Sequence, residues 1–92
     1  MAKISVSRRH NKPKTEVDEL VEKLRSDLGQ KYGLKSERNG DKVNFKGSGV
    51  DGVLEIEDNN VAINIKLGMM ASMLSGKIES SLKSKLAQYL DD

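Results

Sequence analysis

Few side chains in this sequence could carry out chemistry, and the first to consider is its single histidine, His10. The 92 residues contain no cysteine, which excludes a disulfide, a thiolate nucleophile and a cysteine-zinc site. A catalytic histidine needs a nucleophile, a metal or an orienting group beside it, and the sequence around His10 supplies none of them. We therefore expect His10 to be a solvated loop residue, and we expect no enzymatic activity, no metal and no cofactor.

His10 lies within a cluster of positive charge, RRHNKPK, that includes Arg8, Arg9 and Lys12. Such a cluster can attract phosphates or another anionic surface. Bases of single-stranded nucleic acid stack on aromatic side chains, and aromatic residues make up only 3% of this chain. The formal net charge of +2 is also small for a nucleic-acid-binding domain. The sequence favours a solvated basic loop, with a nucleic-acid site as the alternative.

The glycine-rich segment GSGVDG, residues 47–52, resembles a phosphate-binding loop in composition alone. It lacks the Gly-Lys-Ser/Thr ending of such a loop, and it joins two predicted strands instead of leading into a helix. Its glycines fit a tight turn and a close approach of the backbone, where Gly52 would leave space for a helix side chain. We interpret Asp51 as a cross-strand partner of Lys46 and Lys66.

The most suggestive segment is LGMMASML, residues 67–74, where the last predicted strand meets the last helix. Met70 and Met73 lie off the main apolar side of that helix. Thioether side chains are flexible and suit adaptable apolar binding surfaces. Two interpretations are open: the methionines fill the open end of a small core, or they form an exposed apolar patch for a polymer, a lipid or a partner protein.

Hydrophobic periodicity predicts the elements that position these residues. Ile4 and Val6 alternate with polar residues in a strand over 3–8. A helix follows over about 15–32, with Thr15 as its N-cap and Gly33 as its C-terminal stop. A second helix begins after the glycine at position 68. Its predicted apolar stripe consists of Leu74, Ile78, Leu82, Leu86 and Tyr89.

Three tight turns predict the strand register between the two helices. The turn residues are Asn39-Gly40, Ser48-Gly49 and Asp58-Asn59, and the last pair tolerates a left-handed backbone. These turns place Leu34 opposite Phe45, Ser36 opposite Val43, Phe45 opposite Gly52, Leu54 opposite Ile63, and Ile56 opposite Val61. Because a one-residue slip would turn every apolar side chain outward, agreement on one apolar face supports this register. The opposite face is charged, and we expect it to meet water.

Together these elements predict an α+β fold of two layers. Both helices cover one face of a five-stranded, mostly antiparallel sheet with the connectivity β-α-β-β-β-β-α. We favour antiparallel pairing of strands 1 and 5, which gives the order 1-5-4-3-2 and resembles a reduced helix-grip fold. Parallel pairing of strands 1 and 2 is the alternative. Residues 1–92 make one domain, because a chain this short buries only about 60–65% of its unfolded surface, enough for one modest core.

Location and assembly follow from what the sequence lacks. The start, MAKISVSRRH, has no apolar signal-peptide core, and no apolar run approaches the length of a membrane span. We therefore expect no membrane span and a cytoplasmic location. An edge strand such as NFKGS or KISVS could pair across a homodimer.

Four segments, MAKISVSRRH, LVEKLRSDLGQKYGL, FKGSGVDGVLEI and VAINIKLGMMASMLSGKIESSLKSKL, together resemble the putative polyhydroxyalkanoic acid system protein family. The most specific marks are SGVDG and LGMMASMLSGKIE, and the resemblance covers nearly the whole chain. The family consists of short bacterial proteins associated with genes for polyhydroxyalkanoate granules. The resemblance implies a setting, the intracellular storage polyester, and brings no catalytic residues with it.

From the residues and the resemblance we expect a non-enzymatic accessory protein that associates with polyhydroxyalkanoate granules or with a granule coat protein. The expected contact residues form an apolar set and a basic set: Met69, Met70, Met73, Leu74, Arg8, Arg9 and Lys12. A carrier of lipid or acyl ligands is the second hypothesis, although bulky inward residues such as Leu54 and Ile63 leave little room. A nucleic-acid-binding module is the third.

Overall fold

A single antiparallel sheet forms one layer of the domain, and two helices form the other. The structure, a computed structural model, describes residues 2–90. Its elements are β1 (Ala2–Arg9), α1 (Lys14–Tyr32), β2 (Lys35–Asn39), β3 (Lys42–Gly47), β4 (Val50–Glu57), β5 (Asn60–Leu67), a 3-10 turn (Ala71–Leu74) and α2 (Ser75–Leu90). The strand order is β1-β5-β4-β3-β2. The predicted α+β fold and strand order are confirmed.

The first strand pairs with the last one along its whole length. β1 and β5 are antiparallel, from Ala2 opposite Leu67 to Arg9 opposite Asn60. The alternative prediction, parallel pairing of β1 with β2, is wrong. The sheet is open, with β1 and β2 at its edges. The segment NFKGS, which we expected to be available as an edge, lies largely in β3 inside the sheet.

The register of β3, β4 and β5 agrees with the prediction. Phe45 lies opposite Gly52, and Leu54 lies opposite Ile63. The turn at Asp58-Asn59 forms as expected, although no non-glycine residue among those described has a positive φ. Both residues of that turn therefore have ordinary right-handed or extended backbone.

The predicted register of β2 and β3 is wrong by two residues. Asn39 pairs with Lys42, so the turn consists of Gly40 and Asp41, with Gly40 at a φ of 62°. A glycine in the first central position suits a two-residue hairpin turn. Because a shift of two residues leaves each side chain on its original face, the pattern of apolar residues does not distinguish the two registers. The shift places Arg38 opposite Val43, on the helix side of the sheet.

One face of the sheet is buried beneath both helices, and the other carries charge. Lys42, Lys46 and Lys66 are exposed, as predicted. The helices contribute apolar side chains to one continuous core: Val17, Leu20, Val21, Leu24 and Leu28 from α1, and Ile78, Leu82, Leu86 and Leu90 from α2. The sheet side of that core includes Leu54, Ile63 and Ile65, with Ile56 half-buried at its margin.

The start of α1 differs from the prediction. The helix begins at Lys14 after Pro13, whose extended backbone (φ −66°, ψ 158°) precedes the first turn without a side-chain cap. The Pro13 carbonyl instead accepts hydrogen bonds from the backbone N–H groups of Glu16 and Val17. Thr15 is therefore inside the helix and is not its N-cap. The predicted stop is confirmed, because Gly33 is left-handed (φ 67°) and donates to the carbonyl of Gly29.

A 3-10 turn precedes α2 and changes which residues its apolar stripe contains. Leu74 was predicted to begin the stripe, but it lies in the turn and is 36% exposed. Ile78, Leu82 and Leu86 are buried as predicted, and Leu90 completes the buried set while Tyr89 is only half-buried. The turn has tighter helical geometry than an α-helix, so an α-helical period extended back from α2 assigns Leu74 to the wrong side.

A polar network fastens α1 to the edge strand β2. Arg38 Nη2 donates to Asp18 Oδ1 at 2.6 Å, and Arg25 Nε donates to Ser36 Oγ at 2.9 Å. The hydrogen bond to Asp18 raises the pKa of Arg38 above its ordinary value, despite the opposing effect of desolvation. A pKa raised from a value already far above neutrality leaves the guanidinium charged. Because the pKa of Arg38 is higher in the folded state than in the unfolded one, this contribution is present across physiological pH and is lost as the pH rises into strong alkali.

The space between the sheet and α2 is closed. The side chains of both layers belong to one buried core, in which Leu54, Ile63, Ile78 and Leu82 are each 0–1% exposed. A cavity large enough for water would leave accessible surface on the side chains that line it. In the described part of the chain, the fold thus offers no preformed groove for an acyl ligand at this position.

Gly52 provides a test of the packing between β4 and β5. A Cβ at this position would lie 2.9 Å from Cγ1 of Ile65, so the glycine accommodates a neighbouring strand and not a helix side chain as predicted. We expect Gly52→Ala to lower the free energy of unfolding by about 1–3 kcal/mol through overpacking. Urea denaturation measures this change.

Gly76→Ala is the matched control. Gly76 is helical, and a Cβ there meets no heavy atom within 4 Å. Alanine in a helix is more favourable than glycine by up to about 1 kcal/mol, so this variant should match or exceed the wild type in stability. If both variants were as stable as the wild type, the close contact of Gly52 with Ile65 would be contradicted.

Candidate functional site

The connection between β5 and α2 presents three methionines to solvent. Met69, Met70 and Met73 are 84%, 92% and 88% exposed. Together with Leu74 they form an apolar projection at one end of the domain, which we call the methionine tip. Its exposure contradicts the interpretation that these methionines fill the open end of the core, and supports the interpretation as an exposed apolar patch.

Backbone hydrogen bonds hold the methionine tip in place. The N–H of Gly68 donates to the carbonyl of Gly49 at 2.7 Å, which ties the tip to the β3–β4 turn. Ser72 adds two bonds, from its N–H to the Gly68 carbonyl at 2.9 Å and from its hydroxyl to the Met69 carbonyl at 2.8 Å. Ala71 points inward and is buried. The methionine side chains therefore project outward from a defined turn.

The structure separates the two predicted sets of contact residues. Arg9 pairs with Asn60 at the far end of β5, whereas the methionine tip follows Leu67 at the near end. Strands rise about 3.3 Å per residue, so these ends lie roughly 23 Å apart. Arg8 and Lys12 are half-buried near the far end, and Arg9 is exposed. The basic residues and the methionine tip therefore do not form one patch.

His10 is buried, and the prediction of a solvated loop histidine is wrong. The residue is 7% exposed, its backbone N–H donates to the carbonyl of Asn59 at 2.9 Å, and its ring Nδ1 accepts from the Lys12 backbone N–H at 3.2 Å. Nε2 has no hydrogen-bond partner among residues 2–90. The alternation of the predicted strand over 3–8, continued for two more residues, would have placed His10 on the same buried face as Ile4 and Val6.

A small cleft lies beside His10. It has a volume of about 100 Å³ and is lined by His10, Lys12, Lys14, Val17, Asp41, Ile56, Glu57 and Asp58. Lys14 Nζ and Asp41 Oδ1 form an ion pair of 3.3 Å at this end of the sheet. Sites for drug-sized ligands usually measure roughly 300–1,000 Å³, so this cleft is small for a substrate. Among residues 2–90 no group of three or more histidine or acidic side chains is placed to hold a metal ion.

The exposed sheet face carries a row of lysines that the sequence interpretation found only in part. Asp51 lies opposite Lys46 on one side and Lys66 on the other, as predicted. The register then adds Lys3 opposite Lys66, and Lys35 opposite Lys46. We call Lys3, Lys35, Lys46 and Lys66 the lysine row. Its outer members could have been found by extending the predicted register to β1 and by placing the β2–β3 turn correctly.

One protein family matches nearly the whole chain. A family model described as putative polyhydroxyalkanoic acid system protein matches residues 4–90. The match runs from β1 to the end of α2, and it confirms the resemblance inferred from the sequence segments. No curated protein matches the chain. Among the described helices, none is long and apolar enough to cross a membrane.

The burial of His10 can be tested by comparison with its neighbour. We expect His10→Ala to lower the free energy of unfolding by about 1–3 kcal/mol, because it removes a buried ring and the acceptor of the Lys12 N–H. Asn11→Ala, at an exposed position, should stay within about 0.5 kcal/mol of the wild type. Urea denaturation of both variants measures the difference. Equal stabilities would indicate a solvated histidine and contradict the structure.

Proposed function

The chain belongs to the putative polyhydroxyalkanoic acid system protein family, and on that basis we propose that it is a non-enzymatic accessory protein of polyhydroxyalkanoate granules. In this proposal the methionine tip contacts the polymer or a granule coat protein, in the cytoplasm at the storage granule surface. The observation that carries the proposal is the exposure of Met69, Met70 and Met73 on a fixed turn. Membership of the family suggests association with polyhydroxyalkanoate granules, and the methionine tip provides an apolar surface for that contact.

The chemistry of the tip supports contact with an irregular apolar surface. Methionine side chains are unbranched and polarisable, so they adapt to surfaces that lack defined pockets. A monomeric domain gains nothing for its own stability by exposing three of them, because buried apolar side chains stabilise the fold and exposed ones do not. The tip is therefore better explained by a partner than by folding.

The free energy gained by burying three methionines limits how strongly the methionine tip can bind. Burying one methionine contributes at most about 1.5–3 kcal/mol. Association itself costs an estimated 4–15 kcal/mol in lost translational and rotational freedom. Three methionines alone would thus support weak, reversible attachment, which a second contact or many copies on one granule would strengthen.

The non-enzymatic role is supported by the residues available. The chain has no cysteine, and its single histidine is buried, with only backbone groups as hydrogen-bond partners among residues 2–90. The cleft beside that histidine is small for a substrate. These features favour a binding protein over a catalyst.

Two other functions have less support. The carrier hypothesis needs space for an acyl chain, and the buried core shared by the sheet and α2 leaves none between them. The nucleic-acid hypothesis needs the basic residues Arg8, Arg9 and Lys12, and it leaves the methionine tip unexplained. It predicts binding that weakens steeply with salt, which a gel-shift measurement at two salt concentrations would reveal.

Assembly through a sheet edge is a further part of the proposal. β1 and β2 are the open edges, and either could pair with its counterpart in a second copy. The charged residues along both strands oppose such pairing, so a dimer would have to satisfy them. Analytical ultracentrifugation gives the oligomeric state directly.

Granule co-sedimentation tests the role of the methionine tip. We expect Met70→Glu with Met73→Glu to weaken granule binding roughly tenfold or more, because two apolar contacts are replaced by charged groups. The matched control is Met70→Leu with Met73→Leu, which keeps the apolar surface and should bind like the wild type. Both variants should fold normally, since the positions are exposed. Equal binding by all three proteins, or binding by none, would contradict the proposal.

A further inference from the structure

The lysine row and the methionine tip lie at the same end of the domain. The row occupies the position next to the last residue pairs of the sheet, where Ala2 lies opposite Leu67 and Gly47 opposite Val50. One residue along a strand is about 3.3 Å, so the row stands only that far from the end of the sheet. The methionine tip begins two residues after Leu67. Lysine stems are long and flexible enough to bring their ammonium groups level with that end.

The charge at this end is uncompensated. The row places four lysines beside one acid, Asp51, and all five side chains are exposed. Ion pairs elsewhere among residues 2–90 include those of Lys14, Arg25, Arg38 and Lys85. No ion pair within 4 Å joins Asp51 to the lysines opposite it in the described part of the chain. The predicted cross-strand placement is thus confirmed, but the lysines keep their charge for another partner.

The other end of the sheet carries charges of both signs. Lys42 lies opposite Glu55 there, and Arg9 and Lys14 lie at the same end as Asp41 and Asp58. Acids and bases are mixed at that end, whereas the lysine row has one acid for four lysines. Positive charge that meets an exposed apolar projection at one end of a domain is the pattern of an interfacial lipid-binding surface.

We propose that the methionine end of this domain docks onto an anionic lipid surface. The methionine tip enters the boundary of the acyl layer, and the lysine row contacts the headgroups. The inference goes beyond the proposed function by assigning a lipid partner to this end of the domain, and it shares only the methionine tip with that proposal. Two weak signals combined give stable attachment where one alone is marginal.

Other occupants explain less of this surface. A nucleic acid would use the lysines but would gain nothing from three exposed methionines, and aromatic side chains for base stacking are absent from the row. A partner helix would need a groove, whereas the tip projects outward. An anionic lipid layer presents negative charge and apolar material together, which matches both parts of the surface.

The test uses a vesicle co-sedimentation assay, in which the lysine-row variant and its control have the same net charge. One variant carries Lys46→Gln and Lys66→Gln in the lysine row. The control carries Lys42→Gln, on the same sheet face at the other end, and Lys83→Gln, at an exposed position on α2. A third variant, Met70→Gln with Met73→Gln, removes the apolar contact without adding charge. The vesicles consist of phosphatidylglycerol and phosphatidylcholine in equal parts, or of phosphatidylcholine alone.

The expected result is binding of the wild type to the anionic vesicles, with affinity that falls as salt rises. Each lysine near an anionic surface contributes roughly a fivefold effect, so the row variant, which loses two lysines, should bind about 25-fold more weakly. The control should stay close to the wild type. The methionine variant should also bind more weakly, and phosphatidylcholine alone should bind little protein.

Several outcomes would overturn the inference. These are no binding to the anionic vesicles, equal binding to both vesicle types, or equal loss in the row variant and the control. Preferential binding to duplex DNA that ignores the methionine variant would assign the row to nucleic acid instead. Granule binding without vesicle binding would contradict this inference and leave the proposed function intact. Vesicle binding without granule binding would contradict the proposed function and leave this inference intact.

Discussion

The alternation of apolar and polar side chains along β3, β4 and β5 is the constraint on which the rest of the structure depends. Tight turns hold the three strands in a register where the apolar side chains fall on one face, apart from Val53 and Ala62, which lie on the face with the lysines. A slip of one residue would bury lysines and expose isoleucines, at a cost that no surface contact could offset. The face covered by the helices and the face left to solvent both follow from this register. So does the placement of the lysine row.

Most of the fold could be predicted because that constraint is strong, and the errors lie where it is weak. Along β2 the residues are polar on both faces, so nothing apolar distinguished the true register from one shifted by two. The network of Arg38 with Asp18, which the correct register allows, depends on side chains 20 residues apart in the sequence. His10 was missed because the strand was ended too early. Leu74 was misplaced because a 3-10 turn changes the helical phase.

The candidate site could be predicted only in part for a different reason. The methionines are adjacent in sequence, and their spacing already set them apart from the buried side of α2. The lysine row is assembled from strands at positions 3, 35, 46 and 66, which become neighbours only when the sheet order is known. Its local charge is also balanced by acids elsewhere in the chain. Composition therefore reveals only a small net charge, whereas the sheet order reveals a local cluster of lysines.

The pairing of β1 with β5 has a consequence for how the chain is made. Ser5 donates a hydrogen bond to Asn64, 59 residues away, while β3, β4 and β5 meet through turns of two residues. Contacts between distant segments close late because their loop entropy must be overcome first. Within this domain β1 is synthesised before its partner β5, which comes after α1 and three further strands. The segment therefore lacks its native partner until β5 has been made, and the positive charges of Lys3, Arg8 and Arg9 disfavour its pairing with another copy of itself.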